Sequence, residues 1–273
     1  MNNLYIELIK KTLTYSLWPD PGMPIDRSID SLPLHRRIPL TLMRQMLSTG
    51  NIRIYLDRAA STADRDDGRI WPAFAHTMVG LKRLNNIQYC VQTVLTENVS
   101  GDFLEAGVWR GGASIFMRAL LEAHEVRDRR VFVADSFAGL PIPNEDAYPL
   151  DSGDTHHKQT FLAVSRSEVE ANFRNYGLLD TQVVFLEGWF KDTLPEAPIE
   201  TLAVLRLDGD MYESTMDILN ALYSKLSIGG FCIVDDYSNL SPCKEAVLDF
   251  RKANSITDPI IQIDWTGVYW RKS

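Results

Sequence analysis

The chain has 273 residues, 45% of them hydrophobic and 23% charged, which supplies one full core, with or without an appendage, and excludes a disordered or fibrous protein. A formal net charge of −8 and a pI near 5.2 leave no basic field to attract a phosphate backbone, so nucleic acid is not an expected partner. Apolar runs such as Leu202 to Leu205 and Phe231 to Val234 are far shorter than the roughly 20 residues that cross a bilayer, so no membrane is expected either.

The first residues, MNNLYIELIKKTLTYSL, carry Glu7 and place their lysines after the first apolar residues. They read as an amphipathic helix rather than a secretory leader. Ile6, Ile9, Leu13 and Leu17 recur at helical spacing and need cover. A homo-oligomer is the expected source, with the chain's own sheet as the other. Helical periodicity returns over Met78 to Leu95, after a highly charged connection at Ser61 to Arg69. Residues 1–95 hold no second set of core strands and predict a helical cap. Cys90, Cys232 and Cys243 are widely spaced and lack a CxxC pair, which argues against a disulfide framework or a zinc site and for the reducing cytoplasm.

From about Ser100 short β-type runs alternate with helical stretches, the pattern of a parallel sheet with crossover helices. Strands are expected at Asp102 to Ala106, Arg130 to Asp135, Gln182 to Glu187, Thr201 to Asp208 and Gly230 to Asp235, and then at Ile260 to Asp264 and Val268 to Arg271. Helices are expected at Ala113 to Ala123, Ser165 to Tyr176, Ser214 to Lys225 and Lys244 to Ala253. This is a Rossmann-like α/β domain over residues 96–273, doubly wound and mostly parallel. Ligands in such sheets bind beyond the carboxyl ends of the strands.

The first strand runs into Glu105-Ala106-Gly107-Val108-Trp109-Arg110-Gly111-Gly112. Glycines in a strand-to-helix turn let backbone approach a ligand, and the following helix N-terminus favours a carboxylate. That suits the methionine end of S-adenosylmethionine, with Glu105 placed for its amino group, although tight packing alone also produces such turns. The spacing does not fit a nicotinamide fingerprint, since Glu105 stands in the first glycine position. Asp135, followed by Ser136 at the end of the second strand, is the expected ribose ligand. Gly188, Trp189 and Phe190 follow the third strand, where an aromatic wall would suit adenine.

Acids dominate the next two strand ends: Asp208-Gly209-Asp210 and Asp235-Asp236. Four carboxylates crowded at neighbouring strand ends call for a compensating cation or proton, and an oxygen-only set suits a hard ion such as Mg²⁺. Asp208, Asp235 and Asp236 are the expected ligands, with Asp210 as general base for a hydroxyl acidified by the cation. His156 and His157 are the next candidates for the base.

Together these residues resemble the macrocin O-methyltransferase family. The likeness includes Ala75-His76-Thr77-Met78-Val79-Gly80-Leu81-Lys82-Arg83-Leu84, Asp135-Ser136-Phe137-Ala138-Gly139-Leu140-Pro141, Gly188-Trp189-Phe190-Lys191-Asp192, Leu207-Asp208-Gly209-Asp210-Met211-Tyr212-Glu213-Ser214-Thr215 and Gly267-Val268-Tyr269-Trp270. The resemblance implies a class I methyltransferase fold and Mg²⁺-dependent methyl transfer from S-adenosylmethionine to a hydroxyl of a deoxysugar on an antibiotic-type scaffold. It further implies that Val108 and Gly111 join the cofactor turn, that His76, Thr77 and Met78 line the methionine end, that Asp208 serves cofactor and metal, and that Pro143 to Lys158 covers the acceptor. A catechol-like acceptor and a non-catalytic binding protein of the same fold are the rival readings.

Overall fold

A computed structural model describes the chain except residues 1, 2, 21, 26–28, 30, 31, 49–51 and 58–60. The cap contains α1 (Asn3–Leu13), α2 (Leu34–Ser48), α3 (Thr62–Asp66) and α4 (Leu81–Thr96), together with a two-residue ladder in which β1 (Met23–Pro24) pairs antiparallel with β2 (Tyr55–Leu56).

Seven strands then form one sheet: β3 (Asp102–Ala106), β4 (Val131–Asp135), β5 (Val183–Glu187), β6 (Leu202–Leu207), β7 (Leu226–Val234), β8 (Ile261–Gln262) and β9 (Val268–Arg271), in the order β5-β4-β3-β6-β7-β9-β8. The first five are parallel and β9 and β8 return antiparallel. Every residue of β6 is buried, as a central parallel strand covered on both faces requires. Ala106 pairs with Ala134 and Leu207, and Leu207 with Val234, so the acids that follow these strands share one edge.

The helices α5 (Gly112–Ala123) and α6 (Arg166–Asn175) cover one face, while α7 (Phe190–Thr193), α8 (Tyr212–Leu222) and α9 (Ser241–Ala253) cover the other. The helix expectations hold within a few residues at their ends. The single-turn α7 had no periodic signal, and β7 starts four residues before the expected strand, beyond the glycine pair Gly229-Gly230.

The cap is continuous with the first face. Ile6, Ile9 and Leu13 of α1 and Leu84, Ile87, Val91 and Val94 of α4 belong to the same buried cluster as α5 and β3. The apolar row of α1 is therefore covered within the chain and does not itself require a second copy. Leu17, expected to extend that row, lies past the helix end and is 43% exposed. Among the described residues no helix is long and apolar enough to cross a membrane, and all three cysteines are buried and unpaired.

Candidate active site

The turn from β3 into α5 forms the floor of a cleft at the strand ends. Gly107 has φ +85°, and a methyl group there would overlap the carbonyl oxygen of Asp208. The two turns after β3 and β6 thus touch only because residue 107 lacks a side chain. Gly111, also left-handed, caps α5, and a Cβ on it would stand 2.7 Å from Val169 Cγ1. Gly112 packs against the backbone of His76 and the side chain of Thr77.

His76 and Thr77 consequently support the turn from behind. The His76 amide donates to Leu13 O at 2.9 Å, its Nδ1 lies 2.8 Å from Tyr176 Oη, and burial and the nearby Arg110 lower its pKa. Thr77 Oγ1 accepts from the amide of Val79. Of this trio Met78 lines the cleft.

Asp135 also lines the cleft, with Ser136 beside it. Its Oδ2 accepts from the amide of Val108 at 2.8 Å and its Oδ1 from that of Phe137 at 2.7 Å. Burial raises this carboxyl, and the amides pull it back toward the ionised form. Val108 thus takes part through its backbone. Gly188, Trp189 and Phe190 form a further wall, as expected. The sequence reading missed Lys191, Glu213 and Asp217, which line the same cleft. Their convergence depends on α7 packing against α8, which no local pattern announces. Burial, reinforced by Glu213, pushes the carboxyl of Asp217 up to about 6.

Of the segment Pro143 to Lys158, Asn144 lines the cleft, and Leu140, Pro141, Ile142 and Leu162 from the flanking chain line it beside Asn144. Asp151 fastens this segment. Only 1% exposed, it accepts from the amides of Tyr212 at 2.7 Å and Glu213 at 3.0 Å, which are orphan donors at the start of α8.

At the other end Asp208, Asp210 and Asp236 bring carboxylate oxygens within 4.8 Å of one another. Burial and the neighbouring Asp235 push Asp208 up to about 7. Burial likewise raises Asp210, opposed by His156, and Asp236, where the adjoining acids add to the effect. Oδ2 of Asp236 is buried without a hydrogen-bond partner. An oxygen-only cluster with a vacant acceptor is chemically suited to a hard cation.

Two expected residues are held in buried ion pairs. Asp235 is 5% exposed, with Oδ1 accepting from Arg206 and Oδ2 from Arg83, beside the converging set of Asp208, Asp210 and Asp236. Glu105, 2% exposed, accepts from Arg206 Nη1 at 2.6 Å and from Ser114 Oγ and is absent from the cleft lining. The reason is register: Glu105 pairs directly with Arg206 across β3 and β6, so the two side chains share a face. A guanidinium buried there needs carboxylate partners.

Comparison with known proteins agrees with this geometry. Residues 2–272 match the family model described as Macrocin-O-methyltransferase (TylF). The chain is 59% identical over 210 residues to a demethyldecarbamoylnovobiocin O-methyltransferase of Streptomyces niveus, covering 77% of this chain and 80% of that one. It is 53% identical over 246 residues to 8-demethyl-8-(2,3-dimethoxy-alpha-L-rhamnosyl)-tetracenomycin-C 4'-O-methyltransferase of Streptomyces olivaceus, covering 86% and 93%. The solved structure of the O-methyltransferase NovP superposes with a TM-score of 0.85 at 49% identity, over 99% of this chain and 98% of that one. The fold is that of class I O-methyltransferases, and the chain belongs to the macrocin O-methyltransferase family of S-adenosylmethionine-dependent enzymes.

Proposed function

We propose that the protein transfers a methyl group from S-adenosylmethionine to a hydroxyl of a deoxysugar carried on a natural-product scaffold, with Mg²⁺ at its acid cluster. The observation that carries this reading is the junction of a glycine-floored cleft with three converging carboxylates, one holding a buried, unpartnered oxygen. The rhamnosyl group in the name of the Streptomyces olivaceus relative supports a sugar acceptor.

In this reading the turn from Gly107 to Gly111 and the N-terminus of α5 receive the methionine carboxylate, with Met78 beside it. Asp135 and Ser136 face the ribose, and Trp189 with Phe190 gives adenine a flat apolar wall. Asp208 and Asp236 would hold the cation, with Asp235 anchoring the arginines behind them and Asp210 beside them free to act as base. When bound, the cation makes an alcohol proton easier to remove. Asp210 would accept that proton as the methyl group passes from the sulfonium sulfur to the acceptor oxygen, the products being an ether and S-adenosylhomocysteine. The cover segment from Pro143 to Lys158, with its flanking residues Leu140 and Leu162, would exclude water and shape the acceptor end.

Turnover of a panel of glycosylated natural products, measured with and without chelator, tests the proposal. Chelator should abolish methylation and Mg²⁺ restore it. Undiminished methylation by protein confirmed free of metal would remove the cation from the reading, and methylation of simple catechols in preference to glycosides would remove the sugar.

A further inference from the structure

Behind the acid cluster lies a chain of buried charges that the transfer itself does not use. Arg206, 1% exposed within an otherwise apolar strand, donates from Nη1 to Glu105 at 2.6 Å and to Asp208 at 3.1 Å, and from Nη2 to Asp235. Arg83 sits on the cap helix α4 and is 6% exposed. It reaches the other oxygen of Asp235 through Nη1 and donates from Nε to Asp264 at 2.7 Å. Asp264 is itself fixed, accepting from the amides of Thr266 at 3.0 Å and Gly267 at 2.8 Å.

We infer that Arg83 and Arg206 form a two-arginine clamp that positions the cation ligands, so that a residue of the helical cap sets the affinity of the site for its metal. The clamp acts in two directions. Arg206, held by Asp235, fixes the rotamer of Asp208. Asp235, gripped on both oxygens, fixes the turn that presents the next residue, Asp236. A guanidinium can bridge two carboxylates because its donors form a rigid planar fork, whereas an ammonium on a flexible stem cannot hold both at defined angles. The geometry is therefore specific to arginine at both positions. Residues behind metal ligands commonly govern affinity in this way, at about 10- to 100-fold per substitution.

The inference rests on the cation reading above, and calorimetry with Mn²⁺ alone and S-adenosylhomocysteine alone separates the two. Mn²⁺ binding to the wild type tests the cation reading, and the ratio of variant to wild-type affinity tests the clamp. Arg83→Met should lose about 10- to 100-fold in Mn²⁺ affinity while its affinity for S-adenosylhomocysteine stays unchanged. Arg83→Lys should fall between, and Asp264→Asn, which frees the far end of Arg83, should move in the same direction by less. These two milder changes keep the test available if Arg83→Met does not fold. A folded Arg83 variant with wild-type Mn²⁺ affinity would overturn the clamp. So would Mn²⁺ and S-adenosylhomocysteine affinities that fall in parallel with the melting temperature, since that pattern is simple loss of structure. A wild type that binds S-adenosylhomocysteine but no Mn²⁺ would instead overturn the cation reading on which the clamp depends.

Discussion

Asp210 has two properties that its neighbours in the cluster do not share. Its backbone is left-handed, with φ +57°, and its carboxyl feels His156 of the cover segment. Asparagine tolerates a left-handed backbone better than most residues, so Asp210→Asn removes the proton acceptor with the least disturbance of the turn. That variant should bind S-adenosylhomocysteine as the wild type does and lose about 10²- to 10⁴-fold in turnover, a loss that excess Mg²⁺ does not repair. Initial rates over a Mg²⁺ series check this, and wild-type turnover at neutral pH would exclude Asp210 as the base. The acids of this cluster were legible because strand-end carboxylates stand out against apolar runs. Arg206 was not, since within β6 it reads as one polar interruption. Its importance follows only from the registers that place Glu105 and Ile233 on either side of it.

At the scale of elements, the junctions carry the chemistry. The glycine turn after β3 was readable because left-handed backbone and close approach demand glycine. The inward wall of α8 was not, because helical periodicity reports which face is apolar and says nothing of which polar residues meet a neighbouring helix. Asp217 shows the consequence. Its carboxyl, raised to about 6 by burial and by Glu213, with Lys191 opposing, holds its proton more firmly in the fold than in the unfolded chain, where an aspartate titrates near about 3.9. The stability tied to that proton is fully present below about 3.9 and is lost as the pH rises through about 6. Asp217→Asn cannot lose it. The variant should therefore melt above the wild type at pH 8 and level with it at pH 4, without bound ligand. A variant no more stable than wild type at pH 8 would mean that solvent or Lys191 already neutralises the charge.

On the scale of the whole molecule, the cap and the sheet domain share a core, and this bears on how the protein unfolds. The expected boundary near residue 95 marks a change of sequence pattern, from helices alone to alternating strands and helices, and α4 ends at Thr96. Burial does not respect that boundary. Ile6, Ile9, Leu13, Leu84, Ile87, Val91 and Val94 pack in one cluster with Phe103, Phe116 and Leu120. Full burial of an aliphatic side chain is worth about 1.5–3 kcal/mol, so the cap side chains together contribute on the order of 10 kcal/mol or more. The net stability of a domain is only about 5–15 kcal/mol. A fragment of residues 96–273 would expose that face, leave Asp264 without its guanidinium partner and leave Asp235 with Arg206 alone, and an unpaired buried charge is costly. The intact chain should accordingly unfold in one cooperative transition, with calorimetric and van't Hoff enthalpies in agreement, and the fragment should show no cooperative transition at all. Two resolved transitions in the intact chain, or a fragment that melts cooperatively and binds S-adenosylhomocysteine, would make the cap a separate domain and would remove the physical route by which Arg83 reaches the catalytic centre.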